Sequence, residues 1–188
     1  MAQFPKVFPE TRYQLFKTYC MPLYGCQLWD FSHKDVNLFY TAWRKAIRLI
    51  WRIPYTSHCR LLPYICDDLP VEVQIHKRVI KFFHKVLNSS NPLLHTFGII
   101  AVEGSCSSAC NSINVILQRY NINKYDFYTR SYAYYTNQLY ASNSLMFSET
   151  DSQTASLIRE LCQARDGKLN TIFSRHELLD AIETLCVQ

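Results

Sequence analysis

Glycine is scarce, with 4 in 188 residues. A hairpin-rich β fold is therefore not expected, because its tight turns need glycine. The scarcity also removes any phosphate-cradling loop: neither GxGxxG nor GxxxxGK[ST] occurs. No apolar run approaches the ~18 residues that a membrane span needs. The first residues, "MAQFPKVFPE", lack the apolar stretch of a secretory signal. The expectation is an intracellular chain, cytoplasmic or nuclear, whose 8 cysteines stay reduced. The cysteines also lack metal-ligand spacing, since Cys20/Cys26, Cys59/Cys66 and Cys106/Cys110 are separated by five, six and three residues and no CxxC occurs. His58, Cys59 and Cys66 come nearest to a ligand set, but buried cysteine is commonly a small hydrophobe. No serine or cysteine sits in a nucleophile elbow. The sequence assigns no catalytic residue, no metal and no cofactor.

What is present is apolar and aromatic. Hydrophobic residues make up 48%, with 13 Tyr and 11 Phe, a composition that excludes a disordered chain. The net charge of +5 is unevenly placed. Residues 1–100 carry 13 Lys/Arg against 6 Asp/Glu, and residues 101–188 carry 7 against 9. The basic first half suits a polyanionic partner.

Periodicity predicts an all-α fold, with helices near 10–20, 33–52, 70–88, 107–119, 152–166 and 175–186. Pro9 and Glu10 open the first. "CMPLYGCQLWD" (20–30) then reads as an apolar, buried stretch. Ser32 is placed to cap the second helix, whose apolar face holds Val36, Phe39, Tyr40, Trp43, Ile47 and Ile50, and which Pro54 ends. Arg44, Arg48 and Arg52 form an i, i+4, i+8 row beside that face, flanked by Lys34 and Lys45. The third helix carries Val71, Ile75, Val79, Phe82, Phe83, Val86 and Leu87, and Val73 and Ile80 widen this arc enough for more than one neighbour. Its narrower polar sector holds Lys77, Arg78, Lys81, His84 and Lys85. Trp43, Ile47, Val79, Phe82 and Phe83 are the expected core. "YDFYTRSYAYYTNQLY" (125–140) has six tyrosines and no clean period, so it receives no element. Ser152 and Gly167 are placed to bound the fifth helix, and Ser174 and Glu177 form a capping box for the last. The organisation expected is a basic bundle over 1–103, a linker and tyrosine-rich segment over 104–150, and a helical hairpin over 151–188.

Two features bear on chemistry. Asp67 and Asp68 are paired carboxylates of the type a polymerase uses for its metal ions. They follow Tyr64 by one residue more than a Tyr-x-Asp-Asp turn allows, and a helix rather than a strand comes next. Their expected role is to sit at that helix's positive end. The basic rows are the second feature. A merely solvated helix face mixes acids with lysines, whereas no acid lies between Arg44 and Arg52 or between Lys77 and Lys85. Neutralising phosphate calls for such faces. The two rows together would meet roughly four to six phosphates.

Three blocks resemble one family in order: "LFKTYCMPLYGCQLWD" (15–30), "WRKAIRLIWRIPYTSHCRLLPYI" (43–65) and "DLPVEVQIHKR" (68–78). They are similar to the segment after the palm in non-LTR (LINE-type) retrotransposon reverse transcriptases. Tyr24, Gly25, Trp29, Trp43, Arg44, Arg48, Pro54, Tyr55, Leu69, Pro70 and Glu72 carry the likeness. "IRELCQARDG" (158–167) and "ELLDAIETLC" (177–186) resemble the tails of such reading frames. The resemblance implies a thumb-like helical bundle that grips template and primer for an RNA-directed DNA polymerase. Palm and fingers, with the catalytic aspartates, are outside this chain and are expected as its partners. The functional expectation is a non-catalytic fragment that holds an RNA–DNA or DNA duplex backbone, weakly and without reading sequence. Arg44, Lys45, Arg48, Arg52, Lys77, Arg78, Lys81 and Lys85 are the expected contacts. The alternative is a helical protein-interaction module without nucleic-acid binding. No membrane partner is expected.

Overall fold

A computed structural model of the chain describes residues 7–104, 107–144, 149–166 and 175–187. Among these residues every regular element is helical. In chain order they are α1 (Pro9–Tyr19), a 3₁₀ turn (Cys26–Leu28), α2 (Lys34–Trp51), α3 (Leu61–Cys66), α4 (Val71–Leu87), α5 (Pro92–Glu103), α6 (Ser108–Arg119), α7 (Asp126–Thr129), α8 (Tyr132–Ser144), α9 (Glu149–Arg165) and α10 (Arg175–Val187). The chain forms two compact units that do not follow chain order. The first comprises Met1–Pro22, Thr41–Pro70 and Phe147–Gln188; the second comprises Leu23–Tyr40 and Val71–Met146.

In the first unit α2, α9 and α10 each bury a narrow stripe, whereas α3 buries all of its residues but Tyr64. Trp43, Ile47 and Trp51 recur every fourth residue on α2, as do Leu178, Ile182 and Cys186 on α10. Ala155, Ile158 and Cys162 do the same work on α9, which packs against both α3 and α10. Spacing of three or four residues keeps these side chains on one face. Tyr13 of α1 is buried and donates its hydroxyl to Asp68 at 3.0 Å.

The second unit is built around α4. Its buried residues, Val71, Val73, Ile75, His76, Val79, Ile80, Phe83, Val86 and Leu87, cover most of its circumference. The 3₁₀ turn, α5, α6, α7 and α8 all pack on it. Close approach of α5 depends on Gly98, where an added Cβ would stand 2.9 Å from a Leu87 methyl and 3.2 Å from the Leu87 backbone nitrogen. Phe82, expected in the core, is only partly buried; its neighbour Phe83 is the sealed ring. The stretch 20–30 is likewise buried only at Met21, Leu23 and Cys26, while Tyr24 is 89% exposed.

Helix ends explain how so few glycines suffice. Arg52, Asp67 and Asn121 adopt left-handed φ angles of 50°, 51° and 52° just past α2, α3 and α6. At each, two backbone bonds close the helix: Ile53 and Arg52 N–H to the Arg48 and Leu49 carbonyls, Asp68 and Asp67 N–H to Pro63 and Tyr64, and Ile122 and Asn121 N–H to Leu117 and Gln118. This paired closure normally recruits glycine. Here α2 ends at Trp51 by that turn, ahead of Pro54.

Several expected caps are corrected. Ser32 does not cap α2: its backbone N–H donates to Asp30 at 2.9 Å, and the ring of His33 instead accepts the Asp35 N–H at 3.3 Å. Asp67 closes α3 rather than opening α4, whereas Asp68 accepts the Leu69 N–H at 2.9 Å just ahead of α4 and is also engaged by Tyr13 and Lys17. Ser152 lies inside α9, which starts at Glu149. The expected roles of Gly167 and Ser174 fall outside the described residues. The unassigned tyrosine-rich segment forms α7 and α8, and α5 starts at Pro92 with the Asn91 side chain accepting from the Leu93 N–H at 2.9 Å.

Candidate nucleic-acid interface

The row on α2 lies in the first unit. Arg48 is its most committed member. One guanidinium nitrogen donates to the Ser57 carbonyl at 2.7 Å and approaches the Cys59 sulfur at 3.4 Å, and the group stands over the Tyr55 ring at 5.6 Å. Arg44 reaches the same sulfur at 3.9 Å. The turn 53–60 is thus folded back onto the row, and the fork of Arg48 anchors it. Partial burial pushes the Cys59 thiol up, but hydrogen bonds and charge from Arg48 and Arg44 outweigh it, so the thiol stands below its ordinary value. Lys45 is exposed, and Arg44 is partly exposed.

Arg52 behaves differently from its row-mates. Beyond the helix end, it lies 3.8 Å from Asp166. Asp166 also pairs with Arg165 at 3.3 Å and Arg12 at 3.6 Å, and its side chain is 8% exposed. Arg165 donates to the carbonyls of Arg52 and Trp51 at 2.7 and 2.8 Å, and Arg12 to that of Ile50 at 3.3 Å. Two guanidiniums therefore satisfy the open carbonyls at the negative end of α2, with Asp166 as the shared counterion. Nothing in the helical spacing announces this cluster. The sequence signal is the neighbouring pair Arg165-Asp166, which reads only as part of a tail motif.

The row on α4 lies in the second unit and meets tyrosines. Lys77 donates to the Tyr140 hydroxyl at 2.9 Å and stands 5.1 Å from the centre of that ring. The same hydroxyl holds the Lys77 ammonium above its ordinary pKa. Lys81 stands 6.0 Å from the Tyr132 ring. His84 approaches the Arg130 carbonyl at 3.2 Å among Phe127, Tyr132 and Tyr135. The polar sector of α4 is thus the seat of α8, whose buried residues over 132–142 are Tyr135 and Leu139. Lys81 and Lys85 are exposed and Arg78 is partly so.

Other candidates are dispersed. His58 and Cys59 are exposed, whereas Cys66 is buried and its thiol is pushed up to about 12, chiefly by that burial. Among the described residues no three His, Cys, Asp or Glu side chains gather as a metal set. His76 is buried with its Nδ1 2.9 Å from the Tyr120 hydroxyl; burial, reinforced by the charge of Arg119, lowers its pKa to about 3. It is a neutral core residue. An apolar hollow of about 370 Å³ is lined by Trp29, Val36 and Phe39, with Asp30, His33 and Asp35 also on its wall. Asp30 is tied to Ser32, and His33 lies 3.3 Å from Asp35.

Both rows gather cations of the type that attract anions. Arg44, Lys45 and Arg48 belong to an acid-free run, residues 36–66, in which Arg44, Lys45, Arg48, Arg52 and Arg60 are the cations. No family model matches this chain, and neither a curated protein nor a solved structure does.

Proposed function

We propose that this chain is a non-catalytic portion of a non-LTR reverse transcriptase that holds the phosphate backbone of a template–primer duplex through the α2 face of its first unit. The observation that carries this reading is the acid-free run 36–66, with Arg44 and Lys45 on its exposed side and Arg48 fixed beside them. A preset guanidinium loses less freedom on meeting phosphate than a wandering one. The ordered likeness of the 15–30, 43–65 and 68–78 blocks supports the family. With Arg52 paired to Asp166, the α2 face offers Arg44, Lys45 and Arg48, so the duplex contacts number about two or three phosphates, giving a log–log salt slope near −2 to −3 at ~0.9 per phosphate. Such contacts position a duplex and read no bases.

The test is binding of a labelled RNA–DNA hybrid to wild type and to the double variant Arg44→Glu, Lys45→Glu. Loss of most binding by the variant, with an unchanged melting curve, supports the reading. Equal binding overturns it and favours the protein-interaction module. That second reading has its own support in α5, where Leu93, Phe97 and Ile100 lie on one face and are 80%, 40% and 50% exposed.

A further inference from the structure

The α4–α8 face of the second unit combines cations and rings in a way that a duplex does not use. Phe127 to Ser148 contains no acid, and neither does Val73 to Val102. Three cations of this face are set beside tyrosines: Lys77 at Tyr140, Lys81 at Tyr132, and Arg130 5.4 Å from the centre of the Tyr134 ring, with Asp126 also 4.0 Å from Arg130. Tyr140 is 43% exposed, and Tyr125, just ahead of α7, is 81% exposed. Lys77, Lys81 and Lys85 succeed one another at one helical turn, ~6 Å apart.

These pairs discriminate between forms of nucleic acid. In a duplex the flat faces of the bases are stacked on one another, so a protein ring has nothing to stack on. An unpaired strand offers both the phosphate, for the ammonium, and the base face, for the phenol. Phosphate contacts alone would make no use of the exposed ring faces. A protein partner of acidic character would use the lysines and likewise leave the ring faces idle.

We infer that the α4–α8 face binds single-stranded nucleic acid, with Lys77, Lys81, Lys85 and Arg130 taking phosphates and Tyr132 and Tyr140 stacking on bases. The inference rests on the reading of the chain as a nucleic-acid binder, and it assigns α4 a substrate class different from that of α2. It also supplies a reason for a tyrosine-rich helix that buries so little of itself.

The experiment compares a labelled oligothymidine with an RNA–DNA hybrid of equal length on the full chain. Tyr132→Leu with Tyr140→Leu is expected to weaken oligothymidine binding by roughly tenfold or more, the scale of base–aromatic stacking, while hybrid binding stays as in wild type. Phenylalanine at both positions keeps the rings and is expected to restore it. Arg44→Glu with Lys45→Glu should show the opposite selectivity. Absence of oligothymidine binding, or leucine variants that bind it like wild type, overturns the inference while the hybrid arm still reports on the duplex reading. Equal loss on both ligands, a sign of general damage, also counts against it. A measurement on wild type guards against misfolded variants: photocrosslinking an iodouracil-substituted single strand should place adducts on Tyr132 or Tyr140. Adducts confined to other residues contradict the inference.

Discussion

The polar faces of α2 and α4 look alike in sequence, yet each is used differently. On α2 the cations that the fold engages are arginines, and their planar forks are drawn to backbone carbonyls and a thiol: Arg48 to Ser57 and Cys59, with Arg165 and Arg12 treating the helix end in the same manner. On α4 the point charges of Lys77 and Lys81 settle on a tyrosine hydroxyl and on tyrosine rings. A guanidinium has five directed donors and replaces several lost water bonds at once; an ammonium has three rotatable ones and a weaker hold. An acid-free cationic row in a sequence therefore signals that cations are wanted, while the choice of arginine or lysine tells how firmly the fold itself uses them.

Stability measurements sharpen this contrast. The largest effect belongs to neither row: Phe83→Ala removes a fully buried ring from the side of α4 opposite its charges and should destabilise by about 3–5 kcal/mol in denaturant unfolding, with Phe82→Ala well below it. Arg165→Met should come next, at about 3 kcal/mol. It strands the Arg52 carbonyl, leaves the Trp51 carbonyl only the weak Cys162 thiol at 3.6 Å, and leaves Asp166 with weaker partners in a site where the arginine side chain is 2% exposed. A loss below ~1 kcal/mol would mean that the carbonyl-bound guanidinium is no firmer than a surface ion pair.

Acid probes the second unit. His76 has its pKa lowered from 6.5 to about 3, so between those values the unfolded chain binds a proton that the folded chain refuses. Stability should therefore fall as pH drops below 6.5, by up to ~1.4 kcal/mol per unit until about pH 3. His76→Gln should flatten that part of the thermal-melt profile. An unchanged slope would show that the histidine takes up its proton without unfolding. Smallest of all, Lys77→Met should change stability by no more than about 0.5–1 kcal/mol, the scale of an exposed cation–π contact. If Lys77→Met matched Arg165→Met, the distinction between the two rows would disappear.

The legible parts of the fold are those with one clear stripe. The ends of α1, α2, α4 and α6 fall within a residue or two of the sequence expectation because apolar spacing and flanking prolines mark them. The helix α5 escapes notice because "PLLHTFGIIAVE" is apolar on every side and has no stripe to read. For α8 the reason is the reverse: a tyrosine is apolar in its ring and polar at its tip, so six of them between 125 and 140 blur any period. Caps fail where an unusual residue does the work, as with the left-handed Arg52 and the ring of His33. The candidate interface is legible in its residue types and not in its partners. Cys59, Asp166, Tyr132 and Tyr140 lie far along the chain from most of the cations they meet, and no local pattern links them.

The central claim is that exposed arginine and lysine on α2 neutralise phosphate, and the salt dependence of duplex binding tests it most directly. For wild type on an RNA–DNA hybrid, the log of the association constant should fall linearly with the log of salt concentration, with a slope near −2 to −3. Arg44→Ala with Lys45→Ala should reduce that slope by about 2, since each lost contact removes ~0.9. A wild-type slope near zero, or one that the double variant leaves unchanged, would contradict the account.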